Sequence, residues 1–331
     1  MLNYSKLKQF ACLLISKFVF FKKKSILPYR WHFELKGKNI ENELTTEDWY
    51  NITTQIPLYS TVVITGNDPL EREDFSEILR DVSKKTFKRI ELECFAHNLT
   101  PKITNTLIDV QLKKIAISID NDKIKESFEK LNEFCKILKL NNYNITVELR
   151  ADILGNNFSD LINIFEFASN KGFDFLSLYF KDISPVRNTT PKDTFGKEFY
   201  CTMYPIEQYF DFEEFENFNF ELFKIKKYSK TEIIFKPELK NPIYQTQLER
   251  IYSKDCKLLE IYNPCIYPCT NLYINPVGDI YPCLSYKMGN VKENSIKEIL
   301  SNQKYKAFLE NLKNKKLFMS CSMCHELTLK D

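Results

Sequence analysis

Six short apolar runs, separated by longer helical stretches, occupy the chain between Trp31 and Phe180. This order predicts right-handed βα units with parallel strands, either in an open doubly wound sheet or in a partial barrel. In both architectures ligands bind where the carboxyl ends of the strands meet the loops. The predicted strands are Trp31–Leu35, Thr61–Thr65, Arg89–Cys94, Lys114–Ile119, Asn144–Arg150 and Phe173–Phe180. The predicted helices lie near Thr45–Ile56, Glu71–Lys85, Thr100–Leu107, Asp122–Lys139 and Ser159–Lys171.

The composition excludes some classes of function. The chain has 331 residues, of which 44% are hydrophobic and 27% charged, as is usual for soluble globular proteins. The net charge is only +3, from 47 basic and 44 acidic residues, so nucleic acid is not expected as a partner. Only 7 glycines occur, and neither a GxGxxG motif nor a P-loop is present. We therefore expect no nucleotide site of those two kinds.

Residues 1–30 are predicted to form an amphipathic helix that packs on the main domain. The stretch from Gln9 to Phe21 is apolar except for Ser16 and Lys17, and three lysines follow it. It is too short to span a bilayer, and no small-residue cleavage site follows. Contact of this helix with a membrane surface is the alternative. Without an export signal we expect a cytoplasmic, reducing location, where disulfides are rare.

The regular pattern ends after Phe180. Residues 181–250 are predicted to be a bridging segment, and the phenylalanines of its aromatic and acidic run Phe210–Phe220 are expected to complete the core. A peptide-binding surface is the alternative interpretation of that run. Residues 251–331 are predicted to form a small cysteine-rich domain, with a hairpin over Tyr273–Tyr281 and a helix near Ser295–Asn311.

Half of the ten cysteines lie between Cys265 and Cys324. They are Cys265, Cys269, Cys283, Cys321 and Cys324. Thiolates gathered in this way, with a glycine-containing turn between them and a closing CxxC pair, suit a tetrahedral sulfur-ligated metal or an iron–sulfur cluster. The other five are scattered and are expected to behave as small buried hydrophobes. These are Cys12, Cys94, Cys135, Cys201 and Cys256.

Four thiols are enough for such a site. The tight turn predicted at Asn275–Asp279 would place Cys283 beside the segment that carries Cys265 and Cys269. The two-residue spacing lets Cys321 and Cys324 reach one metal. We predict Cys265, Cys283, Cys321 and Cys324 as the ligands, with Cys269 as the alternate. Zinc held by the same four residues stays open as an alternative to iron.

A c-type haem is a weaker interpretation of the same residues. Cys321 to His325 matches the CxxCH attachment motif. Haem attachment would require export, and it would leave Cys265 and Cys283 without a role.

The C-terminal motifs resemble the SPASM/twitch domain of radical S-adenosylmethionine (radical SAM) proteins. The resemblance rests on Asn263-Pro264-Cys265, on Tyr273 to Cys283, on Met288 to Leu300 and on Cys321 to Cys324. It implies one auxiliary 4Fe–4S cluster, held by the matching cysteines beside a barrel. Residues 251–331 would be the SPASM/twitch domain.

Residues 31–180 resemble the partial (βα)6 TIM-like barrel of the same family. Ile64 to Leu70 stands where the family has the Gly-Gly-Glu-Pro motif that holds the SAM amino group. Ile117 to Asp120 matches the strand-four motif near the ribose. The resemblance implies a vestigial SAM pocket, and its residues would be Gly66, Asn67, Asp68, Ser118 and Asp120.

Other residues are also predicted at the carboxyl ends of strands, namely His97 and Arg150. They would contribute to a residual pocket for SAM or a substrate. Each pocket residue also has an ordinary structural alternative: Asp120 would cap a loop, Ser118 would pack inside the barrel and Arg150 would make an ion pair.

One departure from the family decides the functional prediction. The family's CxxxCxxC loop follows the first strand and binds the cluster that reduces SAM, whereas Trp31 to Ile40 contains no cysteine. Cys12 and Cys94 are the nearest thiols in sequence, and neither can replace three closely spaced ligands. Gly66 to Pro69 also departs from Gly-Gly-Glu-Pro, which puts SAM binding in doubt. No catalytic residue can be assigned.

We therefore predict a radical-SAM-like pseudoenzyme that keeps its auxiliary cluster. It would act as an accessory protein or partner of a modifying enzyme, with a peptide or a glycan as the substrate. Two alternatives remain: a SAM-dependent enzyme with an unrecognised site, and a structural zinc-binding protein.

Overall fold

The computed structural model describes residues 28–37, 40–180, 212–239, 247, 258–283, 286–318, 321 and 324–330. Most of the predicted N-terminal helix lies outside these residues, as do Cys12, Cys201 and Cys256. Among the described helices, none is both long enough and apolar enough to cross a bilayer.

Within the described residues, ten strands form one sheet in the order β10-β9-β8-β1-β2-β3-β4-β5-β6-β7. The strands are β1 Arg30–Lys36, β2 Thr61–Gly66, β3 Ile90–Phe95, β4 Lys114–Ser118, β5 Thr146–Ile153, β6 Phe175–Phe180, β7 Glu232–Lys236, β8 Asn271–Ile274, β9 Asp279–Tyr281 and β10 Gly289–Asn290. Neighbouring strands from β8 through β1 to β7 are parallel. The last two strands, β9 and β10, add an antiparallel edge.

The helices follow the strands as predicted. They are α1 Thr46–Gln55, α2 Phe75–Lys85, α3 Pro101–Asp109, α4 Ile124–Leu140, α5 Phe158–Lys171, α6 Phe212–Lys226, α7 Leu258–Ile261, α8 Tyr267–Thr270, α9 Ile296–Ser301 and α10 Gln303–Lys315. One prediction needs a correction: the helix expected near Ser295–Asn311 is two helices. Asn302 separates them, because its side chain accepts a hydrogen bond from Tyr305 N at 2.8 Å and so caps α10.

The two faces of the sheet differ sharply in polarity. On β1, Trp31, Phe33 and Leu35 are fully buried on one face, and the ring of Phe33 lies 5.0 Å from that of Trp49 on α1. The alternate residues of the same strand, among them His32 and Glu34, point to the other face. The register of the parallel ladder carries this pattern into the neighbouring strands. One face therefore packs on helices, and the other is lined with polar side chains.

The sheet curves around its polar face. The carboxyl of Glu326, in the C-terminal tail, interacts electrostatically with charged groups on four strands, β1, β3, β5 and β7. These groups are Arg30, Glu93, Arg150 and Lys236. In a flat sheet β1 and β7 would be separated by six strand spacings, or about 29 Å. The partial barrel is thus confirmed over the doubly wound alternative, whose sheet would be covered on both faces by helices.

The segment after Phe180 also contributes to this fold. Helix α6 and strand β7 lie in it, and β7 extends the sheet beyond β6. Phe215 and Phe218 on α6 are buried, which confirms that phenylalanines of the run Phe210–Phe220 complete the core. Phe220 is 63% exposed and does not take part. The domain boundaries proposed from the sequence stay a prediction.

Candidate functional site

Backbone hydrogen bonds draw the three cysteine-bearing segments together. The amide of Cys265 donates to the carbonyl of Lys316 at 3.1 Å, which joins the start of the α8 turn to the end of α10. The C-terminal tail returns beside the same segment, since Tyr262 and Leu329 form an antiparallel bridge. Within the tail, Cys324 N donates to Cys321 O at 2.9 Å. Cys321 and Cys324 are therefore joined by a tight turn next to Cys265.

The hairpin between β8 and β9 brings back the third segment, which carries Cys283. Asn275 begins its turn, and the side-chain oxygen accepts hydrogen bonds from Val277 N at 3.2 Å and Asp279 N at 2.8 Å. Gly278 has φ +93°, and a Cβ added there would lie 2.9 Å from a methyl of Val291. The tight turn expected from the sequence is present. It returns the chain so that Cys283 follows β9.

Four thiols interact electrostatically at this place. Burial raises the pKa of Cys265 well above its ordinary value, and the neighbouring thiols of Cys321, Cys324 and Cys283 raise it further. The sulfur of Cys321 also accepts a hydrogen bond from Phe318 N at 3.4 Å. Thiols crowded in this way resist ionisation unless a cation takes up the charge.

Cys269 belongs to a different neighbourhood. Burial alone raises its pKa to about 12, with no contribution from another thiol. The group that it does affect is the hydroxyl of Tyr305 on α10. The arrangement therefore groups the four cysteines chosen from the sequence and sets the alternate apart. Among the described residues, no three histidine, cysteine or acidic side chains converge as tightly as a preformed metal site would.

Most residues of the predicted SAM pocket have structural roles here. Gly66 has φ +130°, and a Cβ there would lie 2.6 Å from Lys36 O, so glycine permits the close approach of β1 and β2. The buried carboxylate of Asp68 accepts hydrogen bonds from Leu70 N at 3.0 Å, Phe95 N at 3.3 Å and Asn98 Nδ2 at 2.8 Å. These bonds tie the loop after β2 to the end of β3. Asn67 N donates to Lys36 O at 2.8 Å, which adds to the same join.

The remaining candidate residues lie either in loops after the strands or on the polar face of the sheet. Asp120 caps the short 3₁₀ helix Asn121–Lys123 by accepting from Asp122 N at 3.1 Å. Ser118 is the register partner of Arg150 and lies on the polar face with it. His97 lies just after β3, and its Nδ1 is buried with no hydrogen-bond partner in the described part of the chain.

A charged network lines the barrel interior, and sequence reasoning missed most of it. Arg30 makes a bidentate pair with Glu91, at 2.9 and 2.7 Å. Arg150 lies 3.1 Å from Glu93 and 3.0 Å from Glu148. Although burial opposes ionisation, Arg150 and His32 hold the pKa of Glu93 down at about 2. The available signal was the alternation of charged and apolar residues within β1, β3 and β5, which is unusual for parallel strands.

A second polar group joins the C-terminal domain to the barrel. The hydroxyl of Tyr267, two residues after Cys265, lies 3.1 Å from His32 Nε2 and 2.9 Å from the hydroxyl of Tyr273. His32 also stacks on Tyr273, with ring centroids 4.3 Å apart. Burial lowers the pKa of His32 to about 4, so the imidazole is neutral at pH 7. The segment that carries the thiols therefore reaches into the barrel interior.

Comparison with known proteins bears on the cysteine-bearing domain and on the chain as a whole. A family model described as an iron–sulfur cluster-binding domain, SPASM, matches residues 265–325. The GTP 3′,8-cyclase of Aquifex aeolicus (strain VF5) is 24% identical over 261 residues, which are 73% of each chain.

Solved structures show the same fold across nearly the whole chain. SuiB of Streptococcus suis, bound to its precursor peptide SuiA, matches with a TM-score of 0.60 and 12% identity, over 98% of this chain and 77% of SuiB. The protein anSMEcpe with bound AdoMet and Cp18Cys peptide matches with a TM-score of 0.51 and 14% identity, over 91% and 88% of the two chains. Residues 265–325 thus match the SPASM domain, and the fold of the chain is similar to that of SuiB and anSMEcpe.

The segment that follows β1 is held by hydrogen bonds from one guanidinium. The guanidinium of Arg72 donates to Leu35 O at 2.9 Å and to Leu44 O at 3.1 Å, and it pairs with Asp74 at 2.7 Å. Leu44 N in turn donates to Pro276 O at 2.6 Å, in the β8–β9 turn. Arg72 thus joins the end of β1 to Leu44, and Leu44 to the SPASM domain. No cysteine occurs between Cys12 and Cys94.

Proposed function

We propose that this protein binds one 4Fe–4S cluster in its SPASM domain and has lost the cleavage of SAM. It would act as an accessory protein or partner in the modification of a peptide. The proposal rests on the contrast between the C-terminal domain and the segment after β1. Four thiols interact within the residues that the SPASM model matches, whereas the region after β1 contains none.

The donor set fits an iron–sulfur cluster. Cys265, Cys283, Cys321 and Cys324 would supply four thiolates, the number that such a cluster takes. The amide of Phe318, which donates to the sulfur of Cys321, is the kind of contact that tunes cluster potentials. When bound, the cluster would supply one-electron chemistry. The chain's own part is to bury the thiols and to hold them on three segments that hydrogen bonds join.

The loss of SAM cleavage is supported by what the barrel mouth contains. Reductive cleavage requires an iron that SAM chelates, and the three thiolates that hold this iron in the family have no equivalents here. Asp68 is engaged by three hydrogen-bond donors, which leaves it poorly placed to hold an incoming amino group. Arg72 also fastens the end of β1 to the segment at Leu44.

A peptide is favoured over a glycan as the substrate class. The structures of SuiB and anSMEcpe that share this fold were determined with peptides bound. At these sequence identities the likeness to the solved structures establishes the fold alone, and the peptide substrate is part of the proposal. The partner would be the enzyme that carries out the chemistry.

An anaerobic count of iron and sulfide, with an electron paramagnetic resonance spectrum of the reduced protein, tests the cluster. We expect about four irons and four sulfides per chain. A colourless protein with one zinc would contradict the cluster, and eight irons would show a second cluster in the barrel.

The loss of SAM chemistry is tested separately. We expect no 5′-deoxyadenosine when the iron-loaded protein is incubated with SAM and a strong reductant without oxygen. Formation of that product above the level of a protein-free control would overturn the pseudoenzyme proposal while leaving the cluster intact.

A further inference from the structure

Carboxyls are numerous among the described residues that line the barrel interior. Its polar face and the tail that reaches it carry Glu34, Glu91, Glu93, Glu148, Asp152 and Glu326. The cations that pair or interact with carboxyls of this set are Arg30, Lys114, Arg150 and Lys236. Of the histidines here, His32 is neutral at pH 7, and His325 packs on Tyr179 of β6. One of these carboxylates has only a like-charged group as its charged neighbour among the described residues.

Glu34 is that carboxylate. Glu91, Glu93 and Glu148 each pair with Arg30, Arg150 or Lys114 at 3.1 Å or less. Glu34 makes no hydrogen bond and no ion pair with any residue that the structure describes. Its nearest charged influence is Glu93, of the same sign. An ionised carboxylate in this position is unfavourable unless it takes up a proton or a ligand supplies the positive charge.

The position of Glu34 suits a ligand site. It lies near the carboxyl end of β1, beside Thr65 on β2, and such ends form the ligand-binding edge of parallel barrels. One step toward the amino end of β1, on the same face, His32 contacts Tyr267 and Tyr273. Aromatic faces attract cations, so these rings would favour an organic cation over a metal ion.

Glu326 adds a second carboxylate from the other side. The tail that carries it is held by Leu329 N, which donates to Glu238 at 3.0 Å, and by the bridge from Leu329 to Tyr262. In the described residues Glu326 makes no hydrogen bond and no ion pair, and Lys236 is its strongest charged neighbour. The tail of the SPASM domain thus contributes to the same interior.

We propose that the barrel interior binds an organic cation, an alkylammonium or a guanidinium group, with Glu34 as its counter-ion and Glu326 as a second carboxylate. This inference goes beyond the proposed function, because it assigns a ligand to the barrel and not to the cluster. The site would place a positively charged side chain or small amine at the carboxyl ends of the strands.

The ionisation of Glu34 supports this assignment. Burial, together with Glu93 on β3, raises the pKa of Glu34 to about 7. The network around it also contains other charged or titratable groups. These are Arg30 and His32 on its own strand, Glu91 on β3, Glu148, Arg150 and Asp152 on β5, Tyr179 on β6, Lys236 on β7, and Tyr267, Tyr273, His325 and Glu326 of the C-terminal domain. A bound cation would favour the ionised carboxylate, so binding near pH 7 should release a proton.

Isothermal titration of the full-length, iron-loaded protein at pH 8 tests the proposal. The probes are the Nα-acetyl methylamides of lysine and arginine, with the norleucine derivative as the neutral control. We expect at least one cationic probe to bind at concentrations up to about 10 mM and the norleucine probe to bind at least tenfold more weakly. Equal binding of the norleucine probe, or no binding of either cation, would overturn the proposal.

Variants locate the site. Glu34→Gln should weaken binding of the cation at least tenfold and Glu326→Gln a few fold, whereas Glu129→Gln, on the exposed face of α4, should leave it unchanged. Wild-type affinity in Glu34→Gln would reject the assignment. Proton release can be measured on the wild-type protein. Titrations at pH 7 in buffers of different ionisation enthalpy should show release of about half a proton per bound cation. No release would count against Glu34.

A separate titration uses SAM, which is itself a sulfonium cation. We expect it to bind no more tightly than the lysine and arginine probes. If SAM alone binds and Glu34→Gln abolishes that binding, the interior is a SAM site and the general cation site is wrong.

Discussion

The region after β1 and the C-terminal tail are built in opposite ways. At Arg72 a buried guanidinium satisfies backbone carbonyls and a carboxylate, so that region is complete without any further group. At Cys265 three neighbouring thiols add to the cost of ionising the Cys265 thiol, so that region gains when a cation binds. The comparison teaches that one region of a fold can be completed by its own hydrogen bonds while another gains from a bound cation.

The largest expected effect concerns the thiols. Replacing Cys283 and Cys324 together by alanine should abolish iron binding and destabilise the SPASM domain by several kcal/mol, because metal binding contributes directly to folding. Iron content and thermal denaturation measure the two effects. Cys269→Ala is the matched control and should keep its iron, since Cys269 lies apart from the other thiols. Unchanged iron in the double variant would reject the ligand assignment.

The opposite region should depend on Arg72. Its side chain is 9% exposed, and Arg72→Ala would leave Asp74 and the carbonyls of Leu35 and Leu44 without their donor. We expect a loss of about 3 kcal/mol in the free energy of unfolding, with iron content unchanged. Arg80→Ala, which removes an exposed pair with Asp109, should cost less than about 0.5 kcal/mol. Equal effects of the two variants would show that the Arg72 contacts do not organise this region.

A third prediction concerns pH and the barrel between the two regions. The pKa of Glu34 is about 7 in the folded protein, above its ordinary value of 4.5, so the folded state holds the proton more tightly. The favourable contribution of this carboxyl is then complete below pH 4.5 and is lost as the pH rises through 7. Glu34→Gln should stabilise the protein by about 2 kcal/mol at pH 8 and have little effect at pH 4.5.

Urea denaturation of the two proteins at both pH values measures this difference. A variant that destabilises at pH 8 would show that the Glu34 carboxylate has a partner. Such a result would also weaken the case for a cation site.

The smallest expected effect is at the contact that joins the two domains. Tyr267→Phe removes the hydroxyl that lies between His32 and Tyr273, and it should cost about 1 kcal/mol. Tyr228→Phe, at a side chain that is 87% exposed, should change nothing measurable. If Tyr267→Phe is equally silent, the SPASM domain does not depend on this contact with the barrel.

The sequence alone determined the elements and the thiols. Short apolar runs predicted the first six strands, including Trp31–Leu35 within β1. The longer helical stretches between them predicted all five helices, because local patterns are set by which face of each element is buried. The spacing of Cys321 and Cys324 and the turn at Gly278 pointed to the C-terminal site, since both are local features. Spacing alone could not separate Cys269 from the other four cysteines, as it is only four residues from Cys265.

Tertiary structure decided the rest. The parallel pairing of β8 with β1 joins residues more than 200 positions apart, and no local pattern specifies such a partner. The roles of Asp68 and Arg72 depend on donors and acceptors that only the folded chain brings near them. The same holds for Glu34: a glutamate in a strand is unremarkable in sequence, and it becomes an unpaired charge only because the sheet curves and the nearby cations already pair with other carboxylates.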